Sequence, residues 1–178
     1  MARFEDAIGD TLEREGFGQF TDDSTDPGGA TRWGISLRFL RRTHPDLDLD
    51  DDGDLDADDV RLLSQGQATE LYQAHFWTPY GFGELGSQVI ANKAFDITVN
   101  TGPYQAGLIV QRALKACARP VTIDGAIGPN TRRAINSVDS GRLIVGIRSE
   151  QAGFYRTLIA QKPRLGKYAN GWERRAYA

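Results

Sequence analysis

Glu15 stands where a carboxylic acid can be made to keep its proton. Phe4, Ile8, Leu12 and Glu15 recur at helical spacing, with Ala7 beside them, so a first helix is expected from about Arg3 to Glu15. Gly16 then reads as its stop. Glu15 would lie on the apolar face and at the C-terminal end of that helix. Burial and the negative pole of a helix dipole both disfavour a charged carboxylate. A carboxyl group kept neutral can act as a general acid and protonate a leaving oxygen. The same position also suits a surface Glu at a fraying helix end.

Two further polar groups follow in D-P-G-G-A-T-R-W-G-I-S, namely Asp26 and Thr31. The glycine pair permits a sharp turn and close approach of a ligand to the backbone. A carboxylate and a hydroxyl on a loop facing a helix-end Glu could hold a water against the far side of a sugar ring. Taken alone, D-P-G-G is also an ordinary turn.

A different chemistry is written in D-L-D-D-D-G-D-L-D-A-D-D, Asp48 to Asp59. It follows the EF-hand calcium loop: Asp48, Asp50 and Asp52 at positions 1, 3 and 5, and Gly53 at the sharp turn. Asp54 offers its carbonyl at position 7, Leu55 is apolar at 8, Asp56 stands at 9, and Asp59 fills position 12, where Glu is usual. Unneutralised carboxylates at this density would repel one another. A structural Ca2+ ion pinning the loop between two helices is expected; a solvated acidic loop is the plainer alternative.

The elements that must carry these groups are mostly helices. Residues 16–34 read as irregular or as a short hairpin, and a helix starts near Ser36 and stops before Pro45. A helix is expected from about Asp58 to Phe76, then a Gly- and Pro-containing loop over 77–88. Val89 to Val99 reads as a buried helix. Pro103 to Cys117 reads as another, with Pro103 in its first turn and Cys117 as a core thiol. Asp124–Thr131 is a turn leading into a helix, and Ile144, Ile147, Phe154, Tyr155 and Leu158 mark a long C-terminal helix. The fold class expected is mainly α, with a small β element near the N-terminus.

Composition narrows the function classes. The 178 residues, 40% hydrophobic and 10% aromatic, suffice for a packed core. One cysteine excludes an internal disulfide, and two histidines argue against a zinc site of the usual type. No apolar run is long enough for stable membrane insertion. The start shows no signal-peptide core, so synthesis in the cytoplasm is expected, with a separate exit route for work on the cell wall or in the periplasm. Residues 1–90 carry 7 Lys/Arg against 19 Asp/Glu, and residues 91–178 carry 14 against 5. The basic half either faces an anionic partner or is a solvated surface.

Together these strings resemble a family. E-G-F-G (Glu15–Gly18) followed by D-P-G-G-A-T-R-W-G-I-S (Asp26–Ser36) is similar to the N-terminal signature of glycoside hydrolase family 108, the N-acetylmuramidases of bacteriophage endolysins and related secreted proteins. The family motif is E-G-G-Y; here Phe17 and Gly18 replace its last two residues and the Glu is kept. A-T-E-L-Y-Q-A-H-F-W (Ala68–Trp77), K-A-F-D-I-T-V-N-T-G-P (Lys93–Pro103), L-I-V-Q-R-A-L (Leu108–Leu114), D-G-A-I-G-P-N-T and G-W-E-R-R (Gly171–Arg175) continue the likeness in order. The later ones resemble the region often labelled peptidoglycan-binding.

The resemblance implies a lysozyme-like fold. Residues 1–90 would form the catalytic lobe, including the calcium-type loop, and 91–178 a peptidoglycan-binding-like lobe, the two packed into one compact unit. It implies Glu15 as the catalytic acid, with Asp26 and Thr31 as helpers, and peptidoglycan as partner of a monomer. Asp96 and Asn100, one helical turn apart, either line the cleft or serve structure, since Asn100–Pro103 is also capping chemistry. Trp33, Trp77, Tyr80 and Trp172 either stack on sugar rings or pack internally.

The function expected is cleavage of the β-1,4 bond between N-acetylmuramic acid and N-acetylglucosamine, in an endolysin that lyses its host. A lytic transglycosylase and a non-enzymatic, calcium-dependent cell-wall-binding protein are the alternatives. No nucleic-acid-binding module is recognised.

Overall fold

The computed structural model describes residues 1–16, 18–23 and 28–178. Contacts along the chain divide it into two units, Ile8–His75 and a second made of Met1–Ala7 with Phe76–Ala178.

The Ile8–His75 unit takes in most of helix α1 (Glu5–Arg14), strands β1 (Thr31–Arg32) and β2 (Ile35–Ser36), and helices α2 (Leu37–Thr43), α3 (Ala57–Leu62) and α4 (Gln65–Tyr72). The strands pair antiparallel, Thr31 opposite Ser36 and Arg32 opposite Ile35, and Thr21 bridges Thr31. Ser36 caps α2, its hydroxyl accepting from the Phe39 amide at 3.2 Å. Leu12, Ile35, Leu40, Val60, Leu63, Ala68 and Tyr72 are buried.

The single helix expected over 58–76 is three pieces. Leu63 leaves helical geometry (ψ 119°), and Ser64 starts α4 with a capping box. Its hydroxyl accepts from Gln67 N at 3.2 Å, and its own amide donates to Gln67 Oε1 at 2.9 Å. A Ser followed three residues later by Gln is a start signal, so the break follows from local chemistry. A π-helical turn, Gln73–Trp77, comes after α4.

The larger unit holds α5 (Gln88–Thr101), α6 (Pro103–Ala116), α7 (Pro129–Asn136), α8 (Ser140–Gln161) and α9 (Ala169–Tyr177). Helix α6 packs on α5 and α8, and α8 packs on α9. Ile90, Ala94, Ile97, Ile109, Leu114, Leu143 and Ile147 fill its interior. Trp77, Phe82 and Phe95 pack edge to face with centroids 5.6–6.5 Å apart, and Phe4 joins them at 5.6 Å from Trp77. This cluster explains why the division falls at residue 75 and not at 90: the rings of 77–82 belong to the core that α5 helps to build. The contact boundary thus lies at 75/76, with 1–7 in the second unit, where the sequence suggested 90/91.

Cys117 follows α6 as its C-cap and is half-buried, not a core thiol. Helix α9 has no counterpart in the sequence reading. It is polar, and Ala176 is its one buried residue.

Candidate active site

Glu15 continues the last turn of α1, its amide donating to the Thr11 carbonyl at 2.9 Å. Its side chain is half-buried. Gly16, at φ +85°, turns the chain out of the helix as its type and place predict.

The β1–β2 hairpin closes on Glu15 and Gly18 through three successive residues. Arg32 Nε donates to the Gly18 carbonyl at 3.2 Å, and the same guanidinium donates to the Arg61 carbonyl. Trp33 lays its indole over Gly18 so closely that a Cβ there would overlap the ring. Gly34 abuts Glu15: a Cβ on Gly34 would meet Glu15 Cβ and Cγ at 2.9 Å.

The turn between the strands is Trp33–Gly34, both left-handed at φ +54° and +74°. Two left-handed residues suit a tight hairpin, but Trp is a costly occupant of such a position. Two hydrogen bonds hold it there. The Trp33 indole N–H donates to the Leu63 carbonyl at 3.0 Å, and the buried Tyr72 hydroxyl donates to the Trp33 carbonyl at 2.9 Å. Trp33 is therefore partly exposed but anchored at its polar end. Tyr72 was expected only as a core residue; the signal available in the sequence was that a buried tyrosine hydroxyl needs a partner.

Thr31 lies partly buried in β1, its hydroxyl donating to the Gly29 carbonyl at 3.1 Å. Asp26 lies outside the described residues.

The acidic loop resolves into two carboxylate groups, Asp48–Asp50–Asp52 and Asp54–Asp56–Asp59, each with ligand atoms within 4.8 Å of one another. Gly53 makes the turn at φ +96°. Asp48 accepts from the Asp52 and Gly53 amides at 3.3 and 3.0 Å. Asp59 is fully buried and accepts from the Leu49 and Asp56 amides at 2.6 and 2.8 Å. Loss of water raises the Asp50 pKa, followed by the charges of Asp52 and Asp59. The charge of Asp52 comes first in raising that of Asp54. These are hard oxygen donors crowded to their mutual cost, a set that suits a divalent cation such as calcium.

Asp96 and Asn100 both have protein partners. Asp96, buried on α5, pairs with Arg175 of α9 at 3.0 Å, and Asn100 accepts from the Tyr155 hydroxyl at 2.6 Å. Trp77 is core. Trp172 stacks between Tyr155 and Tyr168, centroids 5.0 and 5.6 Å away. Tyr80 is half-buried, and burial pushes its phenol pKa up.

The family model described as glycosyl hydrolase 108 matches residues 8–102, more than half of the chain. The chain belongs to the glycosyl hydrolase 108 family. A second model, described as "Predicted Peptidoglycan domain", matches residues 105–177 of this glycoside hydrolase. Among solved structures the hydrolase is similar to Brucella abortus SagA, with a TM-score of 0.74 and 22% identity over 97% of this chain and 88% of that one. No curated protein matches it. The fold is thus the mainly α, lysozyme-like one expected, and the two family segments make the hydrolase one that acts on peptidoglycan. The segments meet at Gly102–Tyr104, where α5 ends and α6 begins.

Proposed function

We propose that the hydrolase is an N-acetylmuramidase that cleaves the β-1,4 bond between N-acetylmuramic acid and N-acetylglucosamine. Glu15 protonates the glycosidic oxygen. Asp26, or a water held by Asp26 and Thr31, stabilises or attacks the oxocarbenium-like centre on the other side of the ring. The observation that carries this reading is the packing of Glu15 against the Trp33–Gly34 turn, which fixes a half-buried acid at the end of a helix. The family's E-G motif at Glu15–Gly16 adds support.

A calcium ion in the Asp48–Asp59 loop is part of the same proposal, with Asp48, Asp50, Asp52, the Asp54 carbonyl and Asp59 as ligands. Its role is structural. Trp33 and Tyr80 are the proposed sugar contacts. Asp96 and Asn100 are not, because Arg175 and Tyr155 engage them. Lysis of a bacterial host by a phage-type endolysin, released from the cytoplasm by a separate export route, is the biological setting that the resemblance favours.

The test is the muropeptide profile of wild type beside Glu15→Gln. Wild type should release reducing ends at muramic acid, and Glu15→Gln should release none while still binding peptidoglycan. Anhydro-muramic ends would make the enzyme a lytic transglycosylase. Undiminished cutting by Glu15→Gln would remove Glu15 from the reaction.

A further inference from the structure

The loop Asp124–Gly128 is fastened far more heavily than its one buried apolar side chain, Ile127, requires. Gln111, buried on α6, accepts from the Asp124 and Gly125 amides at 3.0 and 2.8 Å. Its Nε2 donates to the Asp124 carboxylate at 2.7 Å and to the Ala126 carbonyl at 3.0 Å. The Thr131 hydroxyl donates to the Ala126 carbonyl at 2.9 Å. Arg132 joins this loop to the 80–84 segment: it donates to the Ile127 carbonyl at 3.1 Å, to Glu84 at 2.9 and 3.2 Å, and to the Tyr80 carbonyl at 3.5 Å. A Cβ on Gly107 would overlap the Gly125 carbonyl, and one on Gly125 would overlap the Tyr104 ring. Both glycines are what let the loop lie flat on α6.

These bonds build the walls of an open groove of about 400 Å³. Tyr80 and Tyr104 line it, each next to a proline, with the loop between them. Tyr104 is 65% exposed, and nothing in the core accounts for so large an aromatic surface. Among the described residues lining the groove, Asp124 is the one charged group. The Ala126 amide, then Gln111, hold its carboxyl below the usual range. Preorganised walls of this kind lower the entropic cost of binding.

We propose that this groove binds the glycan of peptidoglycan, with N-acetylated sugar rings laid on Tyr104 and Tyr80 between the prolines and the Asp124–Gly128 loop. This rests on the reading of peptidoglycan as substrate. Aromatic faces offer an apolar platform for the C–H face of a sugar, and the backbone polar groups alongside can orient it. The charge selects against polyanions: with Asp124 in the groove and Arg132 engaged, a phosphate-bearing polymer meets no cation there. The groove therefore favours the uncharged sugar rings of the glycan over a phosphate-bearing polymer, although the half of the chain that carries the loop is basic overall.

The test uses the full chain carrying Glu15→Gln, so that ligand is not consumed. An N-acetylglucosamine hexamer is titrated in and amide shifts are read residue by residue. Saturable shifts at Tyr104, Gly125 and Ala126 are expected. Adding Tyr104→Ala, or filling the groove with Ala126→Trp, should weaken retention on purified sacculi by about tenfold, the scale of truncating an aromatic anchor. Both positions are exposed, and unchanged melting temperatures would certify the fold. The proposal is overturned if the hexamer leaves these amides unmoved, if both variants hold sacculi as tightly as their parent, or if heparin moves the amides and the hexamer does not. Failure of the hydrolase reading would show separately, as wild type releasing no reducing ends.

Discussion

The Tyr72 hydroxyl donates to the Trp33 carbonyl at 2.9 Å, and through that bond it holds the turn against which Glu15 is packed. The chain of contact is short: Tyr72 fixes Trp33, Trp33 fixes Gly34, and Gly34 abuts Glu15. Tyr72 is therefore a positioning residue for the proposed acid. Removing the hydroxyl in Tyr72→Phe should cost about 0.5–1.5 kcal/mol of stability, the usual net worth of one hydrogen bond. The sharper expectation is kinetic. On solubilised glycan, kcat should fall by about tenfold with KM nearly unchanged, because a small misplacement of a reacting group slows chemistry more than it weakens binding. A lower melting temperature with an unaltered kcat would reduce Tyr72 to a packing role.

Gly34 has no substitute. An L side chain at φ +74° costs about 1–2 kcal/mol before any contact is counted. Its Cβ would also overlap the Tyr72 hydroxyl and press on Glu15. Gly34→Ala should lower the melting temperature by several degrees and abolish measurable release of reducing ends. Because the Tyr72 hydroxyl is one of two obstacles, the Gly34→Ala/Tyr72→Phe double variant should lose less stability than the two single losses added together. Strict additivity would show that the hydroxyl is not the obstacle.

The acidic loop leads to a prediction independent of catalysis. An ion bound by the folded chain alone stabilises it by mass action. Excess chelator should therefore lower the melting temperature, and added calcium should restore it. Asp50→Asn removes one proposed ligand from an exposed position and should shrink the calcium-dependent part of the shift. A melting temperature indifferent to chelator would remove calcium from the protein and leave the hydrolase reading intact.

Much of this architecture is local and hence legible in the sequence. Pro103 at the start of α6, Gly16 after α1 and the Ser36 cap of α2 each follow from a residue type at a fixed offset. Ser64 with Gln67 was equally legible, but the continuous apolar spacing across 60–72 hid it. The left-handed Trp33 was not legible, since no local preference puts Trp there. It is imposed by Leu63 and Tyr72, 30 and 39 residues away. Helix α9 was missed for a related reason: what ties it down is an ion pair to a residue 79 positions earlier.

Asp96 has a side-chain exposure of 3% and Arg175 of 16%, and the buried Lys93 ammonium donates to the Arg175 carbonyl at 2.6 Å. The Arg175 guanidinium thus pairs with a carboxylate where water is scarce, and Lys93 holds the backbone that carries it. Removing the carboxylate in Asp96→Ala strands the Arg175 guanidinium, and breaking a buried pair from one side costs about 3–5 kcal/mol. The loss should appear in urea unfolding as a lower midpoint. Asp96→Asn, which keeps an acceptor for Arg175, should lose less. If Asp96 instead touched glycan, the pattern would invert. Stability would hold in both variants, while KM for solubilised glycan would rise.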